Sequence, residues 1–101
     1  MITRMWRGWT TPANAGAYEQ FLLRELFPSL RAIPGFRGAE VLHRVDGDEV
    51  AFVTLTRFES LESVGAFAGD PVTRPVIEPR AAELLCRYDE HATHFETSVF
   101  S

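Results

Sequence analysis

From Ala13 onward the apolar positions Tyr18, Phe21, Leu22, Leu26 and Leu30 recur at intervals of three and four, the spacing that gathers side chains on one face of an α-helix. The pattern predicts a helix of four to five turns, ended by Pro34-Gly35 because neither residue extends it. Before it, ITRMWRGWT (residues 2–10) is rich in β-branched and aromatic types and stops at Thr11-Pro12, which predicts a first strand. After it, FRGAEVLHRV and EVAFVTLTRF flank Asp46-Gly47, a dipeptide suited to the positive φ angles of a two-residue hairpin turn. With Asp46 and Gly47 as the loop, Val45 faces Asp48, Arg44 faces Glu49 and Val41 faces Phe52. VAFVTL (residues 50–55) is apolar on both sides of the pleat, so this strand is expected to be covered on both faces. The domain's own helices can cover only one of them.

Ser60 predicts the N-cap of a short helix, with Glu62 in its first turn and Leu61, Val64 and Phe67 on its apolar side. Gly69-Asp70-Pro71 breaks it. Pro75 keeps the next stretch irregular, and Pro79 suits the first position of a helix running through Ala81 to Cys86. The final segment, HATHFETSVF, alternates as a strand does, and a strand is expected over residues 89–99. The order strand, helix, strand, strand, helices, strand predicts an α+β fold. It is a ferredoxin-like four-stranded antiparallel sheet with helices on one face. The open face then calls for a second copy of the chain.

Length and charge narrow the function. The 101 residues are expected to form one domain spanning 1–101. The net charge is −4 and the ten basic residues are all arginines, scattered rather than clustered, so no footprint for nucleic acid is expected. No stretch approaches the roughly 18 apolar residues of a membrane span. The first residues carry Arg4 and Arg7 and no apolar run, unlike a signal peptide. With Cys86 as the single cysteine, no disulfide forms within the chain, and a cytoplasmic location is expected.

The candidate chemistry lies in RYDEHATHFE, residues 87–96. On a strand, residues three apart point to opposite faces, so His91 and His94 cannot chelate one metal together, and no metal site is expected. One reading makes each histidine a hydrogen-bonded packing residue. The other gives one of them to a pocket as acid, base or hydrogen-bond donor. His94 is the expected pocket residue, because its face carries the small Ala92 and the carboxylate of Glu96; His91 is expected to pack with Phe95 and Val99. Trp6 and Trp9 fall on opposite faces of the first strand, as core, interface or the wall of a flat ligand. No Ser/His/Asp order, glycine-rich phosphate loop or zinc spacing occurs.

The segments TRMWRGWT, PGFRGAEVLHR, DEVAFVTLTRFESLESVGAFAGD and RYDEHATHFE resemble the antibiotic-biosynthesis monooxygenase domain family over nearly the whole chain. The resemblance implies a dimeric α+β barrel, in which two ferredoxin-like protomers pack sheet to sheet and each keeps a pocket between sheet and helices. Members of the family oxidise phenols with O2 and no cofactor, degrade haem, or have no established role. Where haem-degrading members have a tryptophan and then a histidine, this chain has Phe67 and Pro75-Val76-Ile77. Where the phenol-oxidising members place Asn, Trp, Tyr and Arg, the comparable stretch has Ser63, Phe67 and Thr73, so those roles do not carry over. The expectation is a cofactor-independent monooxygenase acting on a small aromatic or quinone-like molecule. In it His94 or His91 serves as base, and Trp6, Tyr18 and Phe67 wall the substrate. The alternatives are a small-molecule-binding or stress-response homodimer without catalysis, and a purely structural dimer whose interior is filled.

Overall fold

The computed structural model describes all residues, Met1–Ser101. Strand β1 (Ile2–Thr10) leads into helix α1 (Pro12–Phe21), which begins where the sequence predicts a stop. Thr11 is its N-cap, accepting from the Asn14 N–H at 3.2 Å, and Pro12 takes the first turn, where a missing N–H costs nothing. The helix passes through a π turn (Leu22–Leu26) into α2 (Phe27–Leu30). This wider turn, with the Phe27 N–H bonded to the Leu22 carbonyl, falls where Pro28 would press on the Arg24 carbonyl of a regular α-helix. The hairpin of β2 (Phe36–Asp46) and β3 (Glu49–Phe58) follows, then α3 (Leu61–Ala68), α4 (Pro79–Leu84), β4 (Leu85–Tyr88) and β5 (Thr93–Glu96). Ser60 caps α3 by accepting from the Ser63 N–H, as the sequence predicts.

The sheet is antiparallel in the order β2-β3-β1-β4, with β5 also paired to β1, and the helices cover one face. This is the ferredoxin-like α+β arrangement, with two departures from the expected detail. First, the hairpin turn lies one residue further along, so each pairing shifts by two. Asp46 pairs with Glu49, Val45 with Val50, His43 with Phe52 and Val41 with Thr54, so the loop is Gly47-Asp48. Of the two loop residues only Gly47 has positive φ, +63°, which fits the turn with glycine at its first central position. Asp46 therefore stays in the strand.

Second, residues 89–99 are not one strand. β4 pairs with the end of β1 and β5 with its beginning, and between them Asp89–Ala92 leaves the ladder. Tertiary hydrogen bonds hold it out: the Trp6 indole N–H donates to the Asp89 carbonyl at 2.8 Å, and the Ala92 N–H donates to the Thr73 carbonyl at 2.8 Å. His91 lies in this bend, exposed, and does not pack with Phe95 and Val99.

Alternation along β3 is strict. Val50, Phe52, Thr54, Thr56 and Phe58 are buried toward the helices, while Ala51, Val53 and Leu55 on the outer face are half-buried. The expected cover of β3 is thus present on the helix side, while the outer side is half-buried within the single chain. The inner face holds two apolar clusters, one around Tyr18, Leu22, Leu30, Phe52 and Leu84, the other around Ile2, Phe58, Val64 and Ala68. On the outer face Trp9 is nonetheless buried, because the Arg7 and Arg87 guanidiniums lie 5.3 and 3.9 Å from the centre of its ring. Asp46 accepts from its indole N–H at 3.1 Å. Asp89 and Glu49 in turn anchor the two arginines, at 2.8 and 3.0 Å.

Candidate functional site

Between the sheet and its helices lies a narrow cavity with room for about 30 Å³, enough for one or two water molecules. The first strand contributes Arg4 and Trp6 to its wall, and the third contributes Thr54 and Thr56. The helix through the π turn adds Tyr18, Leu22 and Leu26, α3 adds Phe67, and the segment before α4 adds Val76 and Glu78. Pairing explains the sheet side: Arg4 stands opposite Thr56 and Trp6 opposite Thr54, so one pleat presents all four inward. Nine of the thirteen lining residues are hydrophobic, so the few polar groups decide what the cavity can hold.

Arg4 dominates those polar groups. It is 4% exposed, and its guanidinium donates to the Val72 carbonyl and to the Arg74 carbonyl, each at 2.6 Å. A third contact, 3.1 Å, joins it to Nε2 of His94. Phe67 lies beneath the guanidinium, its ring centre 5.5 Å from Cζ. Burial lowers the Arg4 pKa to about 10, so the group is still a cation at neutral pH. Because arginine only donates, Nε2 of His94 accepts, and the proton of the neutral ring sits on Nδ1. Burial, and then the Arg4 charge, lower the pKa of His94.

Tyr18 is 1% exposed, its ring edge-on to Phe52 at 4.9 Å, and burial pushes its phenol pKa upward so that it stays protonated. Thr10 Oγ1 is the one sealed side-chain polar atom without a partner. The Tyr18 and Thr56 hydroxyls make no hydrogen bond within the protein, and both residues line the cavity. Glu78 is exposed and marks the mouth.

The structure thus brings Trp6, Tyr18 and Phe67 together around one space. His94 is on the same inner side of the sheet but stands behind Arg4 rather than in the wall, and His91 is exposed in the bend at 89–92. Sequence reasoning missed Arg4, Thr56 and Glu78. A signal existed for the first: Arg4 shares the parity of Trp6 along β1. It was masked because arginine is ordinarily a solvent-facing residue. No three His, Cys, Asp or Glu side chains come together to hold a metal ion, and no helix is long and apolar enough to cross a membrane.

The depressed pKa of His94 has a consequence for stability. Below the ordinary value of 6.5 the unfolded chain takes up a proton that the folded ring resists, so the folded state loses stability as pH falls through this range. His94→Gln keeps an acceptor for Arg4 and removes the titration. Urea unfolding at pH 7.5 and pH 5.5 should show a smaller loss in the variant than in the native chain; equal losses would show that His94 does not titrate this way.

No protein-family model and no curated protein matches the chain. Solved structures do. The haem degrader MhuD of Mycobacterium tuberculosis, solved with two haems in its active site, superposes with a TM-score of 0.62 at 22% identity, covering 100% of this chain and 99% of that one. A monooxygenase from the ActVA-Orf6 gene of Streptomyces coelicolor, in complex with nanaomycin D, gives 0.61 at 16% identity over 99% and 91%. A structure described as an antibiotic biosynthesis monooxygenase gives 0.63 at 13% identity over 98% and 100%. The chain has the fold of these proteins, which matches the ferredoxin-like protomer that the sequence resemblance implies.

Proposed function

We propose that the chain binds a small aromatic or quinone-like molecule in this cavity and oxidises it with O2 without a cofactor. The observation that carries the reading is an aromatic-walled space bounded on one side by the buried Arg4 cation. A phenol entering there would lose its proton to water at the mouth, beside Glu78, while the guanidinium stabilises the phenolate. The phenolate gives one electron to O2, and the resulting radical and superoxide join at a ring carbon. The peroxide anion so formed takes up the released proton, and the resulting hydroperoxide loses water together with the hydrogen of that carbon. The net change is phenol plus O2 to quinone plus water. Trp6, Tyr18 and Phe67 keep bulk water from the radical pair. His94 holds Arg4 in place rather than serving as base, since its Nε2 already accepts from that residue, and exposed His91 has no part.

Haem, which MhuD holds, does not fit this cavity. No histidine lines it, and the nearest one is engaged with Arg4. The same lack of a lining histidine favours a second reading, a binding protein without chemistry. An oxygen electrode separates the two. Phenols and naphthols that bind should consume one O2 for each quinone formed; binding with no uptake would establish the second reading, and no binding would overturn both. Because the cavity now has room for only a water or two, a ligand must part its walls, and the π turn and the irregular stretch before α4 are the segments able to yield.

The outer face of the sheet supports a homodimer. Leu42 and Phe95 are about half exposed there, next to Met5, Val53 and Leu55, an apolar strip that a second copy would cover. Sedimentation at micromolar concentration should give twice the chain mass, with an interface of at least ~1,000 Å²; a stable monomer would remove this assignment. A cytoplasmic setting suits the free, exposed thiol of Cys86.

A further inference from the structure

We propose that Arg4, with the Thr56 and Tyr18 hydroxyls, forms an anion subsite in the wall of the cavity, and that the ligand carries an ionised oxygen, carboxylate or phenolate, on its aromatic body. The inference rests on the aromatic reading of the cavity and adds the charge of what enters it.

Arg4 is a buried cation without a counter-charge. The six ion pairs of the protein engage Arg7, Arg37, Arg57, Arg80, Arg87 and His43, all on the surface or near it, and none reaches Arg4. Its three partners are two backbone carbonyls and a histidine kept neutral by burial and by Arg4 itself. These account for pinning the Val72–Arg74 segment to the sheet, a structural duty that neutral donors could also discharge. They do not balance the charge, and they leave the Nε–H free. A buried charge is costly unless paired, so an uncompensated one in the wall of a cavity is a site completed by an anion.

The surroundings fit that completion. Thr56 stands directly opposite Arg4 on β3, which puts a second free donor on the same inward pleat, and the protonated Tyr18 adds a third in the wall of the same space. All three border the same small space. Phe67 beneath the guanidinium supplies a flat surface continuous with the charge, suited to an aromatic acid. Glu78 at the mouth carries the opposite sign to Arg4. In the bound state the ionised end of a ligand therefore lies inward, toward Arg4, and a second anionic group at its outer end would be repelled.

The test uses the native chain and two matched pairs of probes, hydroxynaphthoquinone against its methyl ether and naphthoate against naphthamide, with affinities measured by calorimetry. Each ionised probe should bind about tenfold to a hundredfold more tightly than its neutral partner, the range expected of hydrogen bonds to a charged group. A preference in the first pair alone identifies a phenolate-type oxygen, and in the second alone a carboxylate. Arg4→Met should bring the ionised probe down to the level of its neutral partner, and Thr56→Val should narrow the gap a few-fold. If the neutral probes bind as tightly as the ionised ones, the anion subsite is overturned while the aromatic cavity stands. If no probe binds, the aromatic reading falls and takes the subsite with it. A gap that persists in Arg4→Met would place the charge recognition elsewhere. Should that variant fail to fold, the paired probes on the native chain still decide.

Discussion

Phe58→Ala should destabilise the protein by about 3 to 5 kcal/mol, the upper range for core truncations. Phe58 is fully buried at the end of β3, opposite Ile2 on one side and Phe36 on the other. Its ring meets Phe36 edge-on at 5.7 Å and Phe67 nearly parallel at 6.2 Å. It joins the sheet to α3 through Val64 and Ala68, in a cluster of four buried residues that has few other large members. Nothing nearby is positioned to collapse into the void, since Ile2 and Val64 are held by their own elements. For a domain of this size each kcal/mol lowers the melting temperature by about 4 to 8 °C, so calorimetry at fixed protein concentration should record a fall of at least ~12 °C. A loss under ~1 kcal/mol would mean that the Ile2–Phe58–Val64 packing is looser than described. The substitution also removes the support under Phe67, so ligand affinity should fall along with stability.

Gly35→Ala should cost about 2 to 4 kcal/mol, through two separate causes. Gly35 has φ of +90°, a conformation that side chains rarely adopt, and a Cβ built there collides with Ser63 Oγ and lies 3.2 Å from Glu59 Cβ. The position cannot relax easily, because the Gly35 carbonyl accepts from the Glu59 N–H at 2.8 Å and so ties the turn before β2 to the end of β3. The causes can be separated with Ser63→Ala, which removes the nearest atom and leaves the backbone strain. Equilibrium denaturation of the single and double variants should show the double to be more stable than the sum of the two losses predicts; strict additivity would assign the whole cost to backbone conformation.

The order of elements was legible because local signals and tertiary demands agree over most of the chain. Tyr18, Phe21, Leu22 and Leu30 mark the helix face that is in fact buried, and Ser60 and Pro79 start helices where such residues ordinarily do. The sequence places the hairpin turn one residue early, and its pairings two residues off, because Asp-Gly occurs where two positive φ angles are wanted. Here only Gly47 takes one, leaving Asp46 to pair with Glu49 and to reach the Trp9 indole. The interruption at Asp89–Ala92 was illegible for a different reason. Its alternation reads as strand, and what pulls it from the sheet is a pair of long-range bonds, to Trp6 and to Thr73, that leave no mark on the local sequence. Within the site, the aromatic walls could be found by periodicity. Arg4 could not be distinguished by residue type from nine other arginines, and only its parity with Trp6 on β1 separates it from them.

The two tryptophans stand back to back across β1, and their surroundings differ in kind. Trp6 faces the cavity, with Tyr88 at 5.6 Å and its indole N–H on the Asp89 carbonyl, whereas Trp9 lies between two guanidiniums on the outer face with its N–H on a carboxylate. The first strand therefore carries a separate intrinsic fluorophore for each side of the sheet. With Trp9 changed to Phe, the remaining emission reports what enters between sheet and helices. With Trp6 changed to Phe, it reports what approaches from outside, so ligand capture and association of two copies can be followed by light alone, each without the signal of the other.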